Sequence, residues 1–271
     1  MSGKLYLVAT PIGNLEDITL RAIRILQEVD IIAAEDTRHT LKLLNHLNIS
    51  KTLISYHRHN EDIKTELLIQ KLNEGNNIAV VSDAGTPIIS DPGGEIVKEC
   101  IENQIEVIPI PGPCAFITGV IASGLNSKEF TFIGFLPLNK KTRKEKLKEI
   151  KDSSYTVILY EAPHKLQTTL KDLEDILENR KIVVAKELTK IHETYYRGTV
   201  KQVIEMIKEP KGEYVIMIDA KEKNIKEDIT LLSVEEQYKI YESQGMDKKE
   251  IIKQIAKNKQ VPKNEIYQKF I

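Results

Sequence analysis

The chain lacks the features that mark secreted or membrane-spanning proteins. Among its 271 residues there are only two cysteines, Cys100 and Cys114, which is too few for a disulfide scaffold in a chain of this length. The apolar run at the N-terminus is too short for a signal peptide, and no stretch approaches the roughly 18 apolar residues of a membrane helix. The composition therefore predicts a cytoplasmic protein.

An excess of either charge is also absent. The 39 lysines and arginines nearly balance the 40 aspartates and glutamates, which gives a formal net charge of −1 at pH 7. The chain as a whole therefore has no electrostatic attraction to nucleic acid or to an anionic membrane. Any site for a polyanion has to be a local patch.

Two common nucleotide-binding signatures are missing as well. No G-x-G-x-x-G follows the first strand-like run, and G-x-x-x-x-G-K-[ST] occurs nowhere in the chain. This excludes the usual sites in which a pyrophosphate or a nucleoside triphosphate rests on a helix N-terminus.

Two loops rich in glycine and proline are the most informative positive feature. One follows Ile78–Val81 and reads Ser-Asp-Ala-Gly-Thr-Pro over residues 82–87, continuing to Gly94; the other follows Val107–Ile110 and spans Pro111–Ala115. In open α/β sheets, ligands bind where parallel strands end, and glycine lets the backbone approach a ligand closely. We expect these loops to hold a small molecule, although tight turns between strands and helices are the simpler alternative.

The order of strand-like and helix-like segments predicts an α/β protein with three parts. Strands alternate with helices up to about Ser123, which favours a mostly parallel sheet covered on both faces. After a hinge near Gly124–Lys128, adjacent short strands favour a mixed sheet, and three short helices follow Ala220. The predicted domains are 1–123, 124–222 and 223–271.

Some local details follow from the same pattern. Asp17 is expected to cap the first helix, and Asn60 the helix that begins at residue 61. Ser233 and Asp247 are natural caps for helices of the last domain. The last domain resembles a helix-turn-helix module for docking RNA, with packing on the body as the alternative. Its expected core consists of Ile251, Ile252, Ile255, Val261, Ile266, Tyr267 and Phe270.

Charged residues follow two further strand-like runs. Arg38 stands at such an end and suits a phosphate, whereas Asp36 or Thr37 beside it equally suits a helix cap. Arg58 lies between two histidines, and because no cysteine or carboxylate cluster accompanies them, we predict an RNA-facing loop and no metal. The stretch Asn139–Lys151 has seven Lys/Arg against two Glu. It is either a solvated helix face or a phosphate-binding surface.

Several segments together resemble the tetrapyrrole-methylase-type fold of class III S-adenosylmethionine-dependent methyltransferases. Within that fold they are similar to the branch that modifies ribosomal RNA at a cytidine 2′-oxygen. The most specific matches are Val81–Pro87 and Ala34–Arg38. The others are Leu5–Leu15, Ser90–Gly93, Pro109–Pro113, Gly134–Pro137, Tyr160–His164 and Lys186–Lys190.

The resemblance implies a cofactor, a substrate and a set of site residues. S-adenosylmethionine would lie between the two sheet domains, and the acceptor would be a cytidine in the decoding region of 16S rRNA in the small ribosomal subunit. A homodimer is also implied. The implied cofactor-binding residues are Pro11, Asp83, Ala84, Gly85, Thr86, Gly112, Pro113, Cys114, Ala115, Tyr160, Gly212 and Glu213. The family usually has serine where this chain has Cys114, and a thiol is a poorer hydrogen-bond donor.

For an RNA substrate, further roles follow. Lys186 and Glu187 close a strand of the second domain, where they could orient or deprotonate the ribose hydroxyl, with Arg38 as a third candidate catalytic residue. An exposed, ion-paired turn is the alternative there. The predicted RNA-binding residues are Arg38, Arg58, Lys140, Lys141, Arg143 and Lys144.

Two other functions remain open at this point. One is methylation of a tetrapyrrole or a protein side chain, against which the loop at 82–87, the segment at 34–38 and the basic tail all argue. The other is a ligand-sensing regulator whose tail binds DNA, which would bind cofactor without turnover.

Overall fold

A computed structural model of the chain describes residues 2–177, 179–221, 229–230 and 232–270. Contacts divide the chain into two compact units, Met1–Ala220 and Lys221–Ile271. The first unit contains two five-stranded sheets, one from each of the predicted segments 1–123 and 124–222. The second begins within two residues of the predicted helical module. Within the described ranges, no helix has both the length and the apolar character needed to cross a bilayer.

The first sheet, predicted to be mostly parallel, is parallel throughout its five strands. Its strands are β1 (Leu5–Val8), β2 (Ile31–Ala34), β3 (Thr52–Ser55), β4 (Ile78–Val81) and β5 (Val107–Ile110), in the spatial order β3-β2-β4-β1-β5. Every residue of β2 and β4 is buried. Short runs of apolar, mostly β-branched residues suit such doubly covered strands. As a result, all five strands end at the same edge of the sheet.

Helices cover both faces of this sheet. They are α1 (Leu20–Glu28), α2 (Thr37–His46), α3 (Glu61–Asn73) and α4 (Gly94–Glu102). A fifth helix, α5 (Ala115–Ile121), follows β5 and packs on the second sheet. Buried residues of α1 and α2 pack on one face and those of α3 and α4 on the other. The seven-residue helix α5 was not predicted, because so short a segment carries little periodicity.

One predicted helix cap is wrong, and a second is confirmed in its position but forms no capping hydrogen bond through its side chain. Asp17 lies in a 3-10 turn (Leu15–Asp17), and Thr19 caps α1 instead, its hydroxyl accepting a hydrogen bond from the Ala22 N–H at 3.1 Å. Asn60 occupies the position before α3, but its side chain bonds locally. It accepts from the His57 N–H at 2.9 Å and donates to the Ser55 carbonyl at 3.2 Å. These bonds within its own loop compete with capping.

The second sheet is mixed, as predicted. Its strands are β6 (Phe130–Phe135), β7 (Thr156–Glu161), β8 (Lys181–Lys186), β9 (Thr194–Thr199) and β10 (Tyr214–Ile218), in the order β6-β7-β10-β8-β9. Only the β6–β7 pair is parallel among these described strands. The helices α6 (Lys140–Asp152), α7 (Pro163–Leu177) and α8 (Val200–Met206) pack on one face.

The other face of the second sheet packs against the first half of the chain. We call this contact the inter-sheet layer; its buried members are Ile12, Val120, Ile158, Val183, Ala185, Leu188, Val215 and Met217. Helix α5 lies on β10 so closely that a Cβ at Gly119 would stand 3.3 Å from Met217 Sδ. The second sheet is therefore packed against α5 and the loop after β1, at the carboxyl edge of the first sheet.

The second unit is a small helical bundle with its own core. It contains α9 (Val234–Ser243), α10 (Lys248–Lys259), α11 (Lys263–Tyr267) and a 3-10 turn (Gln268–Phe270). Ser233 caps α9 and Asp247 caps α10, as the sequence predicts. Of the expected core residues Tyr267 is wrong, since it is 50% exposed. Ile266 takes the inward position of α11, and the next residue points about 100° away around the helix.

The loop that contains Gly13 packs closely against the loop that contains Leu188, and this contact gives a first prediction. A Cβ at Gly13 would lie 3.0 Å from the Leu188 carbonyl oxygen, whereas at Gly94 it would meet no described atom within 4 Å. Gly13→Ala should destabilise the fold by about 1–3 kcal/mol, because backbone has to shift to make room. Gly94→Ala is the matched control and should be near neutral. Urea unfolding measures both, and equal stability of the two variants would contradict this packing.

Candidate active site

The loops at the carboxyl edge of the first sheet converge on a cleft beside the second sheet. Two hydrogen bonds connect its sides: the Tyr160 hydroxyl accepts from the Phe116 N–H at 3.2 Å, and the Thr189 hydroxyl accepts from the Asn14 N–H at 3.1 Å. Tyr160 is the penultimate residue of β7, and Asn14 belongs to the loop after β1. The cleft is therefore where the two predicted ligand-binding loops meet the second sheet.

The loop after β4 is fastened to the loop after β1. The backbone groups of Thr10 and Gly85 exchange two hydrogen bonds, at 2.9 and 3.0 Å, and Gly85 has φ +81°, a conformation that favours glycine. The Thr86 hydroxyl then donates to the Pro113 carbonyl at 3.0 Å. Three loops that are distant in sequence thus form one rigid rim.

The loop after β5 needs a glycine for its position. A Cβ at Gly112 would lie 2.9 Å from the Ala9 Cβ, which is closer than carbon atoms of neighbouring side chains approach. Beyond it, Cys114 occupies the position before α5, and its carbonyl accepts the Thr118 hydroxyl at 2.9 Å. The backbone of Cys114 is thereby held, whichever side chain it carries.

Three carboxylates, Glu35, Asp83 and Asp91, line the first-sheet side of the cleft. Asp83 Oδ1 accepts a hydrogen bond from the Asp36 N–H at 3.0 Å. The predicted cofactor residue Asp83 therefore connects the loops after β2 and β4.

The electrostatics of these carboxylates are unfavourable when no cation is near. Burial raises the pKa of Glu35, and the charges of Asp91 and Asp83 raise it further, against the opposing effects of the Asp83 N–H and Arg58. Burial and Asp83 likewise raise the pKa of Asp91, against the Ser82 hydroxyl and Arg58. Like charges that share a partly buried site disfavour their ionised forms. The cleft is therefore suited to a cationic ligand.

Sequence reasoning missed Glu35 and Asp91 as site residues. Glu35 stands at the end of β2 and Asp91 in the loop after β4, two strands that are neighbours in space but about 47 residues apart in sequence. Their position at strand ends was a usable signal. That they share one site follows from the strand order, which the sequence pattern does not specify.

Two of the arginines predicted to bind RNA lie at the carboxyl edge of the first sheet, and they have different hydrogen-bond partners. Arg38 is 87% exposed at its side chain and forms a bidentate ion pair with Asp36, at 2.7 Å for the shorter contact. Asp36 also accepts the Arg38 N–H and so caps α2; these hydrogen bonds hold the pKa of its carboxyl well below its usual range. Arg58 is exposed and donates to the Ser90 carbonyl. RNA contact by either arginine stays a prediction.

Glu187 belongs to a tightly bonded turn. Its backbone has φ +53°, and its carboxylate accepts from the Glu213 N–H at 3.0 Å and from Lys190 Nζ at 2.9 Å. Although burial raises it, the hydrogen bonds from Lys190 and Glu213 lower the pKa of Glu187 overall. A carboxylate tied in this way is a poor proton acceptor. The ion-paired turn therefore describes Glu187 better, and only Lys186 of that predicted pair keeps a catalytic interpretation.

The carboxylate of Glu187 also supports the loop before β10. Gly212 has φ +84°, and a Cβ there would collide with Glu187 Oε1. Lys190 bridges the same region, since its Nζ contacts Glu213 at 3.0 Å as well. Gly212 and Glu213 are thus fixed at the end of the second sheet that faces the cleft.

The basic helix α6 divides into a buried and an exposed part. Arg143 is 18% exposed at its side chain; it pairs with Asp172 at 2.7 Å and donates to the Thr169 hydroxyl at 2.8 Å, which fastens α6 to α7. This geometry does not favour Arg143 as an RNA ligand. Lys140, Lys141 and Lys144 are exposed, and their predicted contact with RNA stays a prediction.

Across residues 2–270 as far as they are described, no group of three or more His, Cys, Asp or Glu side chains is arranged to hold a metal ion. His57 and His59 lie with ring centroids 6.0 Å apart, and His57 Nε2 contacts the Asn60 amide nitrogen at 3.3 Å. The site chemistry thus consists of carboxylates, backbone groups and aromatic rings.

Comparison with known proteins identifies relatives along most of the chain. Residues 4–204 match the family profile of Tetrapyrrole (Corrin/Porphyrin) Methylases. The protein named Ribosomal RNA small subunit methyltransferase I in Halalkalibacterium halodurans is 48% identical over 270 residues, covering 98% of this chain and 93% of its own. Proteins with the same name are 44% identical over 274 residues in Bacillus subtilis, covering 99% and 94%, and 50% identical over 222 residues in Escherichia coli O157:H7, covering 80% and 78%.

Solved structures with the same fold are more distant in sequence. A uroporphyrin-III-C-methyltransferase from Thermus thermophilus superposes with a TM-score of 0.57 at 20% identity, covering 80% of this chain and 94% of that one. A diphthine synthase superposes with a TM-score of 0.65 at 14% identity, covering 81% and 90%. These likenesses establish the two-sheet methyltransferase fold of the first unit.

The carboxylate cluster generates a prediction about pH. Because the folded-state pKa of Glu35 is raised, its contribution to stability is fully present below its unfolded pKa of about 4.3 and is lost as pH rises through the folded value. Glu35→Gln stays neutral and keeps an acceptor oxygen for the Asp83 N–H. The variant should therefore be more stable than the wild type at pH 7, and the difference should shrink toward pH 4.

Urea unfolding at both pH values measures this difference. Glu102→Gln, at an exposed position on α4, controls for the general effect of removing one negative charge. A stability difference for Glu35→Gln that is the same at both pH values would contradict the account of the cluster.

Proposed function

Because the chain belongs to the tetrapyrrole methylase family, and within it to the group of Ribosomal RNA small subunit methyltransferase I proteins, we propose that it methylates small-subunit ribosomal RNA. The acceptor is the ribose 2′-oxygen of a cytidine in the decoding region of 16S rRNA, and the methyl donor is S-adenosylmethionine. The single observation that carries the proposal is 48% identity across 98% of the chain to a protein of that name.

The residues of the cleft fit this cofactor. Glu35, Asp83 and Asp91 provide negative charge for a sulfonium and an amino group, since opposite charges nearby favour the ionised carboxylates. The loops at Gly85 and Gly112 bring backbone close to the ligand, and Tyr160 adds an aromatic wall. The predicted cofactor residues are thus retained, with Glu35 and Asp91 added to them.

When bound, S-adenosylmethionine supplies an electrophilic methyl group, which passes to the acceptor oxygen as that oxygen loses its proton. The chain has to orient the ribose hydroxyl and accept this proton. Lys186 Nζ is one candidate acceptor. The carboxylate of Glu35 or Asp91 is the alternative, because a carboxylate that the bound cofactor keeps ionised can accept a proton.

Other acceptors are less well supported. Enzymes that methylate tetrapyrroles share the fold at about 20% identity or less, so fold alone does not select the acceptor. The relatives at 44–50% identity carry the rRNA name. A regulator that binds cofactor without turnover has no comparable support. Cytoplasmic location and pairing into a homodimer stay predictions.

The acceptor class is tested by transfer of a tritiated methyl group from S-adenosylmethionine. Unmodified 30S subunits, naked 16S rRNA and a tetrapyrrole serve as parallel substrates. Label in either RNA and none in the tetrapyrrole is the expected result. Label in the tetrapyrrole alone would overturn the proposal.

Asp83→Ala should abolish cofactor binding. The substitution removes a charge from the cleft and also the acceptor that holds the Asp36 N–H, so that the loops after β2 and β4 lose their mutual contact. Isothermal titration with S-adenosylmethionine measures the affinity. Asp62→Ala, at an exposed position on α3, should bind as the wild type does. Unchanged affinity of Asp83→Ala would remove this residue from the site.

Truncation after Asp219 should spare cofactor binding and weaken methylation of RNA. The buried clusters of the first unit and of the helical bundle share no residues, so the first unit keeps its cores. The bundle carries exposed lysines on α10, including Lys248, Lys249 and Lys253, which suit a phosphate backbone. The transfer assay and titration measure the two effects. Equal methylation by the truncated chain would rule out a docking role.

A further inference from the structure

Strand β6 contains a bulge that changes the direction of its last side chain. Phe132 pairs with Ile158 and Gly134 with Leu159, so Ile133 is an extra residue opposite the regular strand β7. Gly134 has φ +73°, which glycine adopts without the strain of a side chain. A one-residue slip moves every later side chain to the other face of a strand.

The bulge brings Phe135 to the face of the sheet that borders the cleft. In regular alternation, Phe132 and Phe135 would lie on opposite faces. Instead Phe135 pairs with Tyr160 in register and its ring centroid lies 5.8 Å from that of Tyr160, while Phe132 lies 5.0 Å from Tyr160. Phe132 is partly buried in the inter-sheet layer, whereas Phe135 is 56% exposed. The bulge thus presents an aromatic ring to solvent at the edge of the site.

Ser90 links the strand that carries Phe135 to a cation of the first sheet. A Cβ at Gly134 would stand 3.6 Å from the Ser90 hydroxyl, and Arg58 donates a hydrogen bond to the Ser90 carbonyl. Ser90 therefore contacts the guanidinium of Arg58 and lies beside Gly134, the residue next to the exposed ring. An aromatic face beside a cation is the pair of groups with which proteins bind an unstacked nucleotide.

There is also room beside the ring. Phe135 lines a groove of about 700 Å³ that follows β6 and the C-terminal half of α6. The charged residues lining it are Lys146, Glu149 and Asp152, which together carry one net negative charge. Such a lining accepts a neutral base better than a phosphate, which leaves the phosphate to Arg58.

We infer that Phe135 is a positioning residue that stacks on the base of the target nucleotide, while Arg58 contacts the adjacent phosphate. The inference rests on the proposed function, because it takes a single-stranded RNA nucleotide as the ligand. Stacking on Phe135 holds the base outside the helix stack, and its ribose then faces the carboxylates of the cleft. The bulge at Ile133 and Gly134 orients the Phe135 ring for this stacking contact.

The test compares RNA with and without the target base. The 2′-hydroxyl remains in an abasic ribonucleotide, so both RNAs can accept a methyl group. On base-bearing RNA, Phe135→Ala should lower kcat/KM by about 5- to 100-fold, the range expected for one stacking contact. Phe135→Tyr and Phe135→Trp should retain most of the activity, and Phe135→Leu should not. On abasic RNA, wild type and Phe135→Ala should have equal kcat/KM.

Two controls separate stacking from a structural role. Affinity for S-adenosylhomocysteine should be unchanged in Phe135→Ala, and Ile101→Ala, which trims another exposed apolar side chain, 65% exposed on α4, should behave as the wild type. Three results for Phe135→Ala would overturn the inference and leave the proposed function standing. They are an equal loss of activity on base-bearing and abasic RNA, a loss of cofactor affinity, and full activity on base-bearing RNA. A wild-type chain that methylates no RNA would overturn the proposed function together with it.

Discussion

The active-site cleft depends on the inter-sheet layer. In this layer Ile12, from the loop after β1, and Val120, from α5, are buried against residues of the second sheet such as Met217. Since apolar burial contributes about 25 cal/mol per Å², this layer stabilises the arrangement of the two sheets together with the two hydrogen bonds that span the cleft. The loops at the strand ends are consequently held facing one another without a ligand.

On that rigid base, the chain concentrates negative charge where a cationic ligand is needed. The hydrogen bond from the Asp36 N–H to Asp83 connects the loops after β2 and β4. Burial together with mutual repulsion raises the pKa values of Glu35 and Asp91. A cation in the cleft removes that repulsion. In a chain with a net charge of −1, Arg38 and the exposed lysines of α6 lie outside this cluster.

Much of the fold could be predicted because strand and helix periods, glycine loops and helix caps are local signals. The parallel first sheet, the mixed second sheet and the caps Ser233 and Asp247 follow from neighbouring residues. The short helices α5 and α8 were missed, since seven residues give little periodicity. Glu35 and Asp91 were missed as neighbours because only the spatial order of the strands, in which β2 lies beside β4, brings them together. The ion-pair partner of Arg143 was missed because Asp172 lies 29 residues away in the sequence.

The central claim is that the cleft transfers a methyl group to a ribose oxygen and not to a base. The most direct measurement is chromatographic analysis of nucleosides after complete enzymatic digestion of rRNA that the chain has methylated. The account predicts that the label is recovered as 2′-O-methylcytidine. Recovery in a base-methylated nucleoside, or in a nucleoside other than cytidine, would contradict it.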